Sequence, residues 1–360
     1  MKYCKRVLLL LLAILAAISF WGCEFISQTA RESHPASQAP VSQAAGITFG
    51  NGKLEVAFLD VGQGDSILLK TPGDKVMLID AGESTARQAV KEALDSSGIE
   101  RIDVLIATHP DSDHIGSMQM VVENYEIGEI YMPKVNHTTK TYQNLLLAIS
   151  DKGMKIKAAR AGKSIAIDDA LQVEILGPVS EEYSNTNNYS VICRVTYGDT
   201  RFLFLGDAEH EAQEEAMAAA PESFRADVLK LAHHGSSNGI SAELLEAVQP
   251  RYGVISCGAD NSYGHPHRET LDLLAKYRIE TFRTDKLGTI VAASDGETIT
   301  FNKTGEILED IYGGQTVYKT RTGKTYHREG CSSLSGGGTP LTIEQAQEAG
   351  LTPCKKCFTS

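Results

Sequence analysis

The sequence predicts an α/β fold: two mixed sheets face to face with helices outside them, an αββα sandwich, followed by a small cysteine-bearing module. Three observations predict it. Short β-branched apolar runs recur between Leu54 and Cys257. Some are joined by tight glycine turns and others alternate with stretches of helical spacing, a mixture that fits a plain doubly wound parallel sheet poorly. Residues that carry chemistry fall just past the ends of the runs, where a rigid scaffold aims loops.

Each element has its own signal. Leu54 to Asp60 and Ser66 to Lys70 flank the turn Gly62-Gln63-Gly64-Asp65 and read as a hairpin. Val76 to Asp80 reads as a short buried strand, and Thr85 to Ser96 has helical spacing. Ile102 to Ala107 reads as a strand and Ile115 to Asn124 as the helix after it. Val191 to Tyr197 and Arg201 to Leu205, joined by Gly198-Asp199-Thr200, form a second hairpin. Strands Val228 to Ala232 and Gly253 to Cys257 alternate with helices at Ala242 to Val248 and Glu269 to Tyr277.

The first residues read as targeting. Lys2, Lys5 and Arg6 precede the apolar stretch Val7 to Phe20, as in a secretory signal, and Trp21-Gly22-Cys23 places a small residue before a cysteine. Lipidation at Cys23 is the expectation, with an uncleaved anchor as the alternative because Phe20 stands where such signals usually carry Leu. Either places the bulk of the chain outside the cytoplasm, tethered to the membrane or secreted. The expected organisation is a lipoprotein-type signal at 1–23, a Ser-, Ala-, Gln- and Pro-rich disordered linker at 24–49, a large domain at 50–308 and a small module at 316–360, with the boundary near Asp310 to Gln315. A net charge of −12 argues against a surface that grips nucleic acid everywhere, but leaves phosphoester chemistry at a local site open. Of the seven cysteines, Cys193 and Cys257 lie in apolar runs and read as buried thiols.

The densest chemistry is in Thr108-His109-Pro110-Asp111-Ser112-Asp113-His114. Two imidazoles and two carboxylates within six residues, directly after a buried strand, would repel and be costly to bury without a counter-charge. Divalent metal supplies one. Three further clusters end other strands: Gly206-Asp207, His233-His234-Gly235-Ser236 and Tyr263-Gly264-His265-Pro266-His267. Six of the ten histidines fall in these loops, which points to one metal site rather than scattered core histidines.

In this order, together with Leu59-Asp60-Val61-Gly62-Gln63-Gly64-Asp65-Ser66, the motifs resemble the metallo-β-lactamase-fold hydrolases, specifically the branch holding the hydrolase domain of the competence protein ComEC. The resemblance covers roughly Gly50 to Asn302 and implies the αββα metallo-β-lactamase sandwich. Asp111 stands where the commoner superfamily motif has a second His. The branch's membrane channel has no counterpart after the signal, so DNA transport is not implied. The resemblance assigns His109 and Asp111 to one ion, Asp113 and His114 to another, Asp207 as the bridge and His265 as the completing ligand of the second ion. The superfamily often has another His before the bridging Asp; here the sequence is Asn187-Asn188-Tyr189-Ser190, which leaves the first site short of ligands. Whether His233 or His234 closes that site or acts on substrate is open from sequence.

Three carboxylates and a hydroxide balance two divalent ions, so the expected centre is dinuclear. Asp113 is expected to orient the attacking hydroxide and carry its proton, with His233 and His234 as the other catalytic residues. The extra carboxylate makes the site harder, which favours Mn²⁺ as a rival to Zn²⁺ and phosphoester oxygen over a lactam carbonyl. The expected activity is that of a phosphodiesterase or nuclease on a phosphodiester or nucleic-acid substrate. The alternatives are a β-lactamase or small-ester hydrolase, and a non-catalytic surface lipoprotein that binds DNA or cell wall. Substrate choice is expected to lie in loops such as Asn136 to Tyr142.

At the far end, His327, Cys331, Cys354 and Cys357 supply a Cys₃His set for one structural Zn²⁺, with Cys-x₂-Cys as the strong half. A disulfide between two of these cysteines is the alternative. A module this small needs such a staple. The stretch resembles zinc-ribbon-like tails, including one similar to the metal-binding domain of the Ada repair protein. Thr342 with Gln345 predicts a capping box for a helix over Ile343 to Ala349.

Overall fold

A computed structural model describes residues 47–308, 316–334 and 337–358. The targeting segment, Cys23, nearly all of the linker and the boundary near 310–315 lie outside the described residues. Among the described residues, no helix is long and apolar enough to cross a membrane.

In chain order the strands are β1 (Leu54–Phe58), β2 (Ile67–Lys70), β3 (Val76–Ile79), β4 (Arg101–Ile106), β5 (Glu126–Met132) and β6 (Ile156–Ala158). Then follow β7 (Lys163–Ser164), β8 (Leu171–Gly177), β9 (Ile192–Tyr197), β10 (Thr200–Phe204), β11 (Val228–Lys230), β12 (Tyr252–Ile255) and β13 (Glu280–Arg283). Last in the large domain come β14 (Ile290–Ser294), β15 (Ile299–Phe301) and β16 (Glu306–Ile307). They form two eight-stranded sheets, β15-β14-β1-β2-β3-β4-β5-β6 and β16-β13-β12-β11-β10-β9-β8-β7. Both are mixed. β1, β2 and β3 are antiparallel while β3 to β6 run parallel, and β8, β9 and β10 are antiparallel while β10 to β13 run parallel.

The alternation of each strand decides the layers. Val56 and Phe58 of β1 face a core shared between the sheets with Phe202, Phe204 and Val254, whereas Ala57 faces outward. Outward residues of the first sheet pack on the helices Arg87–Ser96, Met118–Asn124 and Lys140–Asp151 through Val90, Leu94, Val121 and Leu145. Those of the second sheet pack on His210–Ala219, Ala242–Val248 and Arg268–Lys276 through Ala212, Ala216, Leu244 and Leu274. Each large apolar side chain so buried contributes about 1.5–3 kcal/mol. This is the predicted αββα sandwich. Cys193 and Cys257 are buried as expected, and burial pushes each thiol up to about 12.

Two departures from the sequence reading matter for the site. The expected helix from Ile115 to Asn124 is instead two, Ser112–Ile115 and Met118–Asn124. A Cβ on Gly116 would lie 2.4 Å from both the Ser112 carbonyl oxygen and the Ser84 nitrogen, so the chain pivots where another backbone presses against it. The expected helix from Thr85 begins as a 3₁₀ turn, Ser84–Ala86, before Arg87–Ser96. That turn is what presses on Gly116.

The remaining residues form a separate four-stranded sheet, β19-β17-β18-β20, from β17 (Thr316–Lys319), β18 (Thr325–His327), β19 (Thr339–Thr342) and β20 (Thr352–Pro353). Its helix, Ile343–Glu348, carries the predicted capping box between Thr342 and Gln345.

Candidate metal centre

Strand ends supply the site, and local backbone makes each one possible. After β3 the chain turns at Asp80, which adopts a left-handed φ of 57°. Its carboxylate accepts from the Thr108 backbone N–H at 2.8 Å, the Thr108 hydroxyl at 2.6 Å and His114 Nδ1 at 2.7 Å. Because a carboxylate only accepts, His114 carries a proton on Nδ1, and this contact directs Nε2 into the site. After β10, Gly206 turns with a φ of 55° and delivers the buried Asp207, whose Oδ1 is 3.2 Å from His114 Nε2.

After β11 the backbone is strained. His233 and His234 have φ of 50° and 54°, a region that costs non-glycine residues roughly 1–3 kcal/mol. That conformation sends the two rings apart. His234 is buried, with Nδ1 donating to the Ser256 carbonyl at 3.0 Å and Nε2 at 3.1 Å from Asp113 and 3.5 Å from Asp207. His233 stays partly exposed at the rim, its Nε2 3.8 Å from Asp207 and its Nδ1 3.5 Å from Glu209.

One ligand atom from each of Asp113, His114, Asp207 and His234 lies within 4.8 Å of the others. The site's electrostatics are those of a negative cluster holding protons. Burial disfavours charge on His234, but Asp207, Asp113 and Asp65 outweigh it and raise its pKa to about 10. His114 is raised in the same way by Asp207, Asp80 and Asp113 against burial. Asp207 and Asp113 are pulled below the usual carboxylate range by these imidazoles, again against burial. Among the described residues, the buried side-chain atoms that make no hydrogen bond include three at this cluster, His109 Nε2, His114 Nε2 and Asp207 Oδ1. Buried orphans of this kind are costly unless an ion satisfies them, and their chemistry suits a divalent cation. The residues fit a metal.

His109 is buried, with Nδ1 3.2 Å from the Thr108 hydroxyl and 3.3 Å from that of Ser190, and its Nε2 is 3.7 Å from Asp111 Oδ2. Ser190, at the end of the segment that lacks the superfamily's additional His, also accepts from the Asp207 backbone N–H at 3.0 Å. His265, expected to complete the second ion's ligands, is not among the four convergent residues. Its ring lies 6.2 Å from that of His234 and 5.5 Å from that of His233, and its Nδ1 faces the Gln63 amide nitrogen at 3.3 Å. The imidazole that joins Asp113, His114 and Asp207 is that of His234. Burial, then the neighbouring histidines His234, His267 and His233, push the pKa of His265 down to about 4.

Several residues of the site were not singled out by sequence. Asp80 orients His114. Asp65, read as part of a tight turn, is 1% exposed and pairs at 2.9 Å with Lys230, which is 0% exposed. The other oxygen of Asp65 is 3.3 Å from His234 Nδ1, so a buried ion pair backs the second imidazole. His137 places Nε2 4.0 Å from Asp111 Oδ1, in the loop expected to govern substrate choice. The signal for Asp65 and Asp80 was their position past β-rich runs; nothing local marks Lys230.

In the small module, ligand atoms of His327, Cys331, Cys354 and Cys357 also lie within 4.8 Å of one another, and the three cysteines are free thiols. The Ser333 backbone N–H and His327 pull Cys331 down to about 6, toward the thiolate that zinc takes. This cluster could bind zinc.

Residues 59–259 match the metallo-beta-lactamase superfamily. The chain belongs to that superfamily. Among curated relatives, the ComE operon protein 3 of Bacillus subtilis is 32% identical over 253 residues, covering 66% of this chain and 32% of the relative. The competence protein ComA of Neisseria gonorrhoeae is 29% identical over 236 residues, covering 65% of this chain and 31% of the relative. The chain thus spans about a third of the length of these relatives. Among solved structures, the metallo-beta-lactamase fold protein YhfI from Bacillus subtilis is 14% identical, with a TM-score of 0.44 over 67% of this chain and all of that one. As a member of this superfamily the chain is a metal-binding fold with competence proteins among its relatives.

Proposed function

We propose that this protein is a metal-dependent phosphodiesterase or nuclease, exported and held at the membrane through Cys23. The observation that carries the reading is the convergence of Asp113, His114, Asp207 and His234 on one point beside orphaned buried nitrogens and oxygen. Asp113, His114, Asp207 and His234 would hold one ion, and His109 with Asp111 a second that shares Asp207. Divalent ions bound there supply Lewis-acid polarisation of a phosphoryl oxygen and a lowered pKa for water. The carboxylate-rich first position, with Asp111 in place of an imidazole, suits Mn²⁺ or Zn²⁺ and a phosphoester substrate.

The chain's own groups divide the remaining work. Asp113 is oriented by its contact with His234 and takes up the proton of the attacking water. His114 and His234 cannot turn, because Asp80 and the Ser256 carbonyl fix their Nδ1 protons. His233 stands at the rim with Nε2 toward Asp207, where it can donate a proton to the departing oxygen or hold a phosphate oxygen. The buried Asp65, paired with Lys230, stands behind His234 at its Nδ1. In the small module, His327, Cys331, Cys354 and Cys357 would hold a structural zinc with no open position.

The test is turnover of DNA, RNA and bis(p-nitrophenyl) phosphate by the full chain loaded with Mn²⁺ or Zn²⁺. Asp113→Ala is expected to lose about 10²- to 10⁴-fold in kcat. A folded, metal-loaded protein that turns over none of these would reject the reading, and nitrocefin turnover would move it to the lactam class. Retention of DNA without hydrolysis would support the non-catalytic lipoprotein.

A further inference from the structure

Beside the metal centre the chain displays an aromatic ring that the fold does not use. Among the described residues, the most exposed large apolar side chains are Leu147, Ile156, Tyr263 and Ile307, and Tyr263, 65% exposed, is the aromatic one. A single exposed ring is common on protein surfaces, so it is the placement of this one that matters. Tyr263 is also close to the chemistry. Its ring stacks on His265 at 5.6 Å and 20°, and His265 lies 5.5 Å from His233, whose Nε2 is 3.8 Å from Asp207.

The loop that carries this ring is built rather than loose. Asn261 spends its whole amide on it: Nδ2 donates to the carbonyls of Gly258 at 2.9 Å and His265 at 2.6 Å, while Oδ1 accepts from the N–H groups of Tyr263 and His265. His267 braces the far side, with Nε2 3.3 Å from the Tyr263 carbonyl and Nδ1 accepting from the Ser237 N–H. The Gly258 N–H donates to Gln63, whose amide also faces His265. A loop backbone fixed in this way has little freedom left to lose on binding.

We propose that Tyr263 is a stacking platform for an unpaired nucleobase flanking the hydrolysed phosphodiester, which directs the site to single-stranded nucleic acid. The inference rests on the phosphodiesterase reading of the site and names its substrate class. One face of the ring is taken by His265, so the other receives the base. In a duplex, bases stack on each other and offer no such face. Stacking on an aromatic side chain is worth about 1–3 kcal/mol per base, or about 5- to 150-fold in affinity.

The experiment compares two labelled probes of equal length on the full metal-loaded chain by fluorescence anisotropy. One is oligothymidylate and the other an abasic oligomer, both with phosphorothioate linkages that slow cleavage. The unaltered protein is expected to prefer the base-bearing probe by about 5- to 150-fold. That preference should fall to near unity in Tyr263→Ala, persist in Tyr263→Phe and Tyr263→Trp, and vanish when the probe is annealed to its complement. An unchanged preference in Tyr263→Ala, or none in the unaltered protein, overturns the proposal. Failure of the two readings is distinguishable. A Tyr263-dependent base preference without hydrolysis removes the enzyme and leaves the platform, whereas hydrolysis without base preference does the reverse.

Discussion

The chain holds two clusters of metal-competent side chains, and they are supported in opposite ways. The His and Asp cluster sits at the ends of strands whose cores are complete without it: Phe58, Phe202 and Phe204 between the sheets, and helices on both outer faces. The Cys₃His cluster sits in a sheet whose buried apolar set is Val317, Tyr326, Ile343 and Ala346. A sandwich can hold charged groups in strained backbone because its packing outweighs their cost. A small sheet has less packing to set against that cost, and on the structural-zinc proposal it would draw its stability from the ion that the cluster binds.

Chelation should separate them most sharply. Structural zinc in small domains is worth on the order of 10–16 kcal/mol. Metal removal from the full chain, read by amide hydrogen exchange, should strip protection from β17, β18 and the helix Ile343–Glu348 while the sandwich strands keep theirs. Equal protection in both regions would show that the small sheet folds unaided.

Within the sandwich, the largest single effect is expected from breaking the buried ion pair. Lys230→Met leaves Asp65 charged and without its lysine partner, with His234 as its remaining neighbour, a loss of about 3–5 kcal/mol by denaturant unfolding. The double change Lys230→Met with Asp65→Leu should recover much of it. Recovery of stability without recovery of metal affinity would show that the pair also positions His234.

A smaller effect is expected at Asp80. Asp80→Asn removes the charge that fixes His114 through its Nδ1 proton, and such supporting carboxylates are worth about 10- to 100-fold in metal affinity. Isothermal titration with Zn²⁺ measures it, and unchanged affinity would make Asp80 a merely structural turn residue.

The subtlest effect is on pH. In the metal-free sandwich His234 has its pKa raised to about 10, so the stability it contributes is full below its ordinary value near 6.5 and is lost as pH rises toward 10. The melting temperature of the metal-free chain should therefore fall across that window. At saturating metal the imidazole is already deprotonated, and the fall should disappear. A parallel decline in both states would place the titration elsewhere.

The contrast also explains what could be read in advance. The segment His109 to His114 and the Cys354-x₂-Cys357 pair are local, with spacing and chemistry contained within a few residues. The hairpin turns and the strand from Ile102 were legible for the same reason. Lys230 gave no such signal, because its partner Asp65 is 165 positions away and an isolated lysine at the end of an apolar run looks like a surface residue. The choice between His233 and His234 was equally closed to sequence, since which ring turns inward depends on two left-handed residues in succession. Gly116 read as an ordinary helix residue because the obstacle it accommodates belongs to Ser84.

The order in which the first sheet is completed has a consequence for how this protein comes into being. β1 lies in the middle of that sheet, with Leu54 bonded beside Ser294. Until β14 has been synthesised, one flank of β1 is a bare template for any extended chain nearby. A product that ends before Ile290 lacks the strand that pairs with β1 and would leave that flank open to other chains. Maturation is gated by the arrival of one late strand.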